Sequence, residues 1–160
     1  MLVASTLTDI FLYMNNMLNK FFKTDTSKTT ILIRLMVGIV FLSEGIQKFL
    51  FPDTLGAGRF AQIGLPFPEF SGSFVGVFEI LCGILVLLGL FTRLASIPLI
   101  IIMIVAIFTT KADILANKGF WEMMHGSRTD WAMLLGSIFL LFKGGGFFSL
   151  DRLFFENSKE

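Results

Sequence analysis

Four stretches of this chain are apolar for long enough to cross a lipid bilayer or nearly so, and polar or Gly- and Pro-rich segments separate them. The first runs from Ile31 to Phe51 and is closed by Pro52. The second, Phe74 to Phe91, is interrupted only by Glu79, and the third, Leu94 to Thr110, carries Pro98 in its first turns. A helix rises about 1.5 Å per residue and needs roughly 20 residues to cross the hydrocarbon core. The fourth stretch follows Asp130 and is unbroken from Trp131 to Phe142, which is short for a span. It reaches full length if Lys143 snorkels and the Gly144-Gly145-Gly146 run lies near the headgroups. The tight Thr92-Arg93 junction predicts an antiparallel hairpin of the second and third spans.

Residues 4–23 carry a different pattern. Ile10, Phe11, Met14, Met17, Leu18, Phe21 and Phe22 recur at helical spacing, opposite Asp9, Asn15, Asn16, Asn19, Lys20 and Lys23. This predicts an amphipathic helix lying in the membrane surface as an anchor. A helix packed on a soluble partner is the alternative. The segment lacks the charged start and cleavage site of a signal peptide.

Composition agrees with a lipid environment, because 54% of the 160 residues are hydrophobic and only 16% are charged. A soluble domain of this size has too little interior to hide that much apolar surface. A net charge of +1 without a basic run leaves no footprint for nucleic acid. One cysteine, Cys82, excludes an internal disulfide, and one histidine, His125, excludes a pair of histidine haem ligands. No cluster of His, Cys and carboxylates has metal-ligand spacing, so no metal site is expected.

Charge also predicts orientation. Lys20, Lys23, Lys28, Arg34, Arg93, Lys143, Arg152 and Lys159 fall on one side of four spans, and Lys48, Arg59, Lys111, Lys118 and Arg128 on the other. The richer side is expected to be cytoplasmic, with both termini on it. Trp121 and Trp131 then belong at the outer interface. The two outer loops, Pro52 to Ser73 and Lys111 to Thr129, are long, which makes the outer side the expected place of function.

Glu44 and Glu79 stand at one depth, about 10 to 12 Å inside the outer end of their spans. Each intramembrane charge costs roughly 2.5 to 3.5 kcal/mol on insertion scales, so both are expected to face partners inside the bundle. Lys48 follows Glu44 at i+4 in the favourable order. Lys111 ends the third span, and Arg128 and Asp130 open the fourth. Gly76, Glu79 and Gly83 share one face of the second span, as Gly38, Phe41, Gly45 and Lys48 share one of the first, which suits close helix approach. The charges of Glu44, Glu79, Asp130, Lys48, Lys111 and Arg128 sum to zero. The expectation is an outward-facing polar cavity lined by these residues and Gln47, in which Glu79 exchanges a proton. Arg59 adds a cation to the outer rim and His125 a proton donor. A neutral network that only fixes helix register is the alternative. Cys82, among Leu and Ile, reads as a packing residue rather than a nucleophile.

The ordered runs RLMVGIVFLSEGIQKF (residues 34–49), GAGRFAQIGLPFPEF (56–70), GVFEILCGILVLLGLFTRLA (76–95) and HGSRTDWAMLLGSIFLLFKGGGFFSLDRL (125–153) resemble the DoxX family of membrane proteins. The resemblance implies an all-α, four-helix bundle in the bacterial cytoplasmic membrane over residues 29–153, after an interfacial helix and linker (1–28) and before a cytoplasmic tail (154–160). It also implies a link to quinone-coupled oxidoreductases, carried onto Glu44, Gln47, Lys48, Glu79, Arg128 and Asp130. In that reading the ligand is a quinone, with no covalent cofactor, and the partner a membrane or periplasmic oxidoreductase. Lys48 or Lys111 polarises a carbonyl, and Glu79 or His125 exchanges the proton. The alternatives are a non-enzymatic subunit that holds or passes a small anion or lipophile, and an assembly partner of a membrane complex.

Overall fold

The computed structural model describes residues 24–155. The amphipathic stretch 4–23 and residues 156–160 lie outside the described residues. Among the described residues all regular structure is helical: α1 (Thr30–Leu50), α2 (Ala57–Gln62), α3 (Pro68–Leu88), α4 (Thr92–Lys118), α5 (Phe120–Gly126), α6 (Arg128–Lys143) and α7 (Leu150–Phe155). Helices α1, α3 and α4 are long and apolar enough to cross a membrane. Helix α6, with 16 residues, is shorter.

Two boundaries differ from the hydropathy pattern. Helix α3 begins at Pro68, ahead of Phe74, because proline is preorganised for the first helical position and its missing N–H is not needed there. Helix α4 continues past Thr110 to Lys118 as a polar extension. The expected long loops are therefore largely helical, with α2 in the first and α5 in the second.

The turn between α3 and α4 is built from its end groups. Gly89, at φ 67, caps α3, and the Leu90 N–H returns to the Leu85 carbonyl at 2.9 Å. Phe91 is also left-handed, at φ 49, an unfavourable state for a residue with a Cβ. The Asp151 carboxylate holds it there, accepting the N–H of Phe91 at 2.6 Å and of Thr92 at 3.0 Å. Asp151 thereby satisfies two N–H groups at the start of α4, as an N-cap does from within the chain.

Helix α1 lies along α3 and α4 along α6, and contacts of α3 with α4 and of α1 with α6 join the two pairs. Glycines set the first crossing. A Cβ on Gly45 would stand 2.8 Å from the Gly76 carbonyl, and one on Gly83 would stand 2.8 Å from the Leu42 nitrogen. Backbone contact of this kind lets two apolar helices gain dispersion energy that bulkier residues would forfeit. Val37, Phe41, Cys82, Val86, Ala95, Leu99, Met133 and Leu140 form the core.

One end of the helices is tied by Arg34, which is only 2% exposed. Its guanidinium donates to the carbonyls of Val86 (2.9 Å), Leu87 (2.5 Å), Gly145 (3.1 Å) and Phe148. These carbonyls belong to the last turn of α3 and to the loop after α6, where helix ends leave acceptors in need of donors. Thr24 Oγ1 accepts the Gly146 N–H at 2.5 Å, and Lys143 pairs with Asp25 at 3.0 Å. Arg34, counted above among the cations of the richer side, is a buried clamp, and Gly144, Gly145 and Gly146 are buried at the same end of the helices.

Candidate functional site

At the other end, Lys48 of α1 and Glu79 of α3 form an ion pair, Nζ to Oε2, at 2.6 Å. The helix register explains it. A Cβ on Gly76 would stand 3.4 Å from Lys48 Cβ, so Lys48 lies level with Gly76, and the Cα atoms of Lys48 and Glu79 are offset by three residues, about 4.5 Å, along the helix axes. Side chains lean toward the N-terminus of their own helix. Because α1 and α3 run antiparallel, Lys48 leans into the bundle while Glu79 leans toward the end where Lys48 starts. The two bridge the offset between them. Both are nearly enclosed, Glu79 being 4% exposed, and the contact is ionic rather than an aligned hydrogen bond.

The partner expected for Lys48 was Glu44, one turn away on the same helix. The structure corrects that pairing: Lys48 binds Glu79, and Glu44 is exposed. Gln47 donates to Ser43 Oγ at 2.9 Å on the same exposed side of α1.

A second pair repeats the geometry. Lys111 of α4 lies 3.0 Å from Asp130 of α6 and donates to the Gly126 carbonyl at 2.9 Å. Again a lysine near the end of one helix leans inward to an acid on an antiparallel neighbour. Arg128, expected beside Asp130, is exposed, as are Arg59 on α2 and His125 on α5. Among the described residues these three make no ion pair. Among the described residues no three His, Cys, Asp or Glu side chains are grouped as metal ligands would be.

The faces of α1 and α6 show what lies in front of the first pair. A Cβ on Gly136 would meet Val37 at 2.6 Å, so the two helices touch there. Glu44 lies seven residues beyond Val37 on the same face of α1, and Thr129 and Ala132 lie seven and four residues before Gly136 on the matching face of α6. All three are exposed, so the helices do not cover one another at that level. On the flank of the Lys48–Glu79 pair α1 and α6 thus leave these positions uncovered, and we take the gap between them as the candidate cleft.

Sequence reasoning missed Arg34 and Asp151. The signal for Arg34 was its place inside an apolar run, four residues from the start of α1, where a lysine-like surface position is not the only reading. Asp151 has no such signal, because its partners are 59 and 60 residues away.

The family model described as DoxX matches residues 29–112, which covers α1 to α3 and most of α4. Among relatives, an uncharacterized membrane protein of Mycobacterium tuberculosis, Rv3486, is 56% identical over 130 residues, covering 78% of this chain and 80% of its own. The "Putative oxidoreductase CatD" of Bacillus subtilis is 33% identical over 132 residues, covering 81% and 90%. An uncharacterized protein of Haemophilus influenzae is 34% identical over 127 residues, covering 78% and 89%. No solved structure matches. With Lys48 and Glu79 inside the matched segment and relatives aligned over most of their length, the chain is a membrane protein that belongs to the DoxX family.

Proposed function

We propose that this chain is a subunit of a quinone-linked membrane oxidoreductase, with α1, α3, α4 and α6 all spanning the bilayer and both termini cytoplasmic. The observation that carries the reading is the enclosed Lys48–Glu79 pair beside a cleft. An ammonium and a carboxylate placed within a membrane are costly, and such groups usually serve a ligand or a proton. In this role Lys48 donates a hydrogen bond to a quinone carbonyl, stabilising the oxygen as negative charge grows on it. A partner oxidoreductase delivers two electrons. Glu79 passes one of the two protons that complete the quinol, and the second comes from the rim, where His125 and Arg128 stand. The name of the Bacillus relative, "Putative oxidoreductase CatD", supports the class of reaction.

A non-enzymatic binding or assembly role is the second reading, favoured by the way both lysines tie neighbouring helices together. Extraction of the detergent-purified protein with organic solvent separates the two. The proposal expects a quinone in near-stoichiometric amount, reduced at least fivefold in Glu79→Gln. An unchanged quinone content in a folded Glu79→Gln variant leaves the pair as a fastener of helix register.

A further inference from the structure

We infer that the ligand reaches the Lys48–Glu79 pair sideways from the bilayer, between α1 and α6, and that it is an amphiphile with an uncharged, oxygen-bearing head and a long apolar tail. This rests on the reading of the pair as a binding site. Three observations carry it.

The route along the helix axes is roofed. The segment after α1 folds back over its own end, so that a Cβ on Gly56 would stand 2.5 Å from the Lys48 carbonyl. Helix α2 continues the cover, packing on α3 with Phe60 buried and the Gly72 position 3.0 Å from the Ala57 nitrogen. Water-borne ligands meet this cap rather than the ion pair.

The flank, by contrast, is open. Glu44 on α1 and Thr129 and Ala132 on α6 are exposed although they lie on the faces that meet at Val37 and Gly136. Apolar contact closes the cleft at that lower point, and polar groups stand along its upper part. A molecule with a polar head and an apolar tail matches this gradient, the head toward Lys48 and the tail passing Ala132 into lipid.

Charge selects the head. The Lys48 ammonium is already neutralised by Glu79 at 2.6 Å and Glu44 adds a negative charge nearby, so an anionic head finds no free cation at the pair, the Arg128 guanidinium standing out at the rim. An uncharged carbonyl or hydroxyl keeps the ammonium as a donor without that penalty.

The test uses the full chain in detergent with Trp121→Phe, which leaves Trp131 on α6 as the single tryptophan emitter. Two probes are titrated by quenching: a naphthoquinone with an isoprenoid tail and the same ring without one. Ala132→Phe places a ring in the cleft at an exposed position, Thr129→Phe does so one turn nearer the mouth, and Leu135→Phe, on a neighbouring exposed face, is the control. The expected result is a tenfold or greater loss of affinity for the tailed probe in both cleft variants. The tail-less probe changes less than twofold, and the control less than twofold for either probe. Unchanged tailed binding in both cleft variants overturns the lateral route while leaving the site intact. Equal loss of both probes also overturns it, because the substitution then acts on the site itself. If neither probe quenches saturably in the parent, or Lys48→Met binds both as the parent does, the underlying site reading fails and the route fails with it.

Discussion

Lys48 Nζ and Glu79 Oε2 meet at 2.6 Å although their Cα atoms are offset by about 4.5 Å along the antiparallel axes of α1 and α3. The pair is thus a product of helix direction as much as of charge. Removing one partner strands the other. Lys48→Met is expected to lower stability by about 3 to 5 kcal/mol, and Lys48→Met combined with Glu79→Gln to recover most of it. Thermal unfolding of the three proteins in one detergent checks this; a double variant no better than the single one would show that the two residues act separately.

Gly45→Leu is expected to be more damaging than a substitution on the lipid side. Its Cβ would stand 2.8 Å from both the Gly76 carbonyl and Ile80 Cγ1, so α1 and α3 must separate along their whole contact. A loss of about 1 to 3 kcal/mol follows from overpacking alone. The Lys48–Glu79 pair should weaken with it, because its span depends on the same register. Gly126→Leu, at a position with open space around it, is the comparison and should change stability little.

Arg34→Lys should fail to replace Arg34. A single ammonium cannot reach four carbonyls contributed by α3 and by the loop after α6, and the planar fork is what matches them. Each hydrogen bond from a charged donor is worth about 1.5 to 3 kcal/mol, so both Arg34→Lys and Arg34→Met should cost at least about 3 kcal/mol. Hydrogen exchange at the Gly146 and Phe147 N–H groups, which bond to Thr24 Oγ1 and the Ser27 carbonyl in the loop that Arg34 holds, should rise in both variants.

The attachment of residues 24–27 to the end of α6 should depend on pH. The Lys143 ammonium beside Asp25 holds that carboxyl below the usual carboxylate range, with the Ser27 and Thr26 backbone adding to the effect. A depressed carboxylate stabilises the folded form above its ordinary titration range and loses that contribution as pH falls through the lowered value. Exchange protection of the Asp25 N–H, which bonds to the Lys143 carbonyl at 2.9 Å, should therefore drop on acidification below the normal Asp range. In Lys143→Met the drop should begin at higher pH.

The spanning helices were legible because hydrophobic runs report burial in lipid directly, and the two glycine faces because 3.6-residue periodicity places Gly38 with Gly45 and Gly76 with Gly83. The inward placement of Glu79 was legible for the same reason. Its pairing with Lys48 was not, since it depends on the offset between α1 and α3, which no single helix encodes. Local spacing suggested Glu44 for Lys48, and the lean of the side chains across antiparallel helices decided for Glu79. Lys111 and Asp130 were both marked as site residues, yet their bond to one another emerged only from the packing of α4 on α6. The clamp made by Arg34 was not legible, because a charge count says nothing of partners and this arginine meets carbonyls that only the folded chain brings together.

The Arg34 clamp fastens α1, α3 and the segment after α6 at a single level, far from the exposed flanks of Glu44 and Ala132. Helices pinned together at one tip can spread only at the other, as the jaws of a clothes peg do about its spring. Any breathing of this protein is thereby directed toward the cleft, with the pinned tip serving as a fixed pivot.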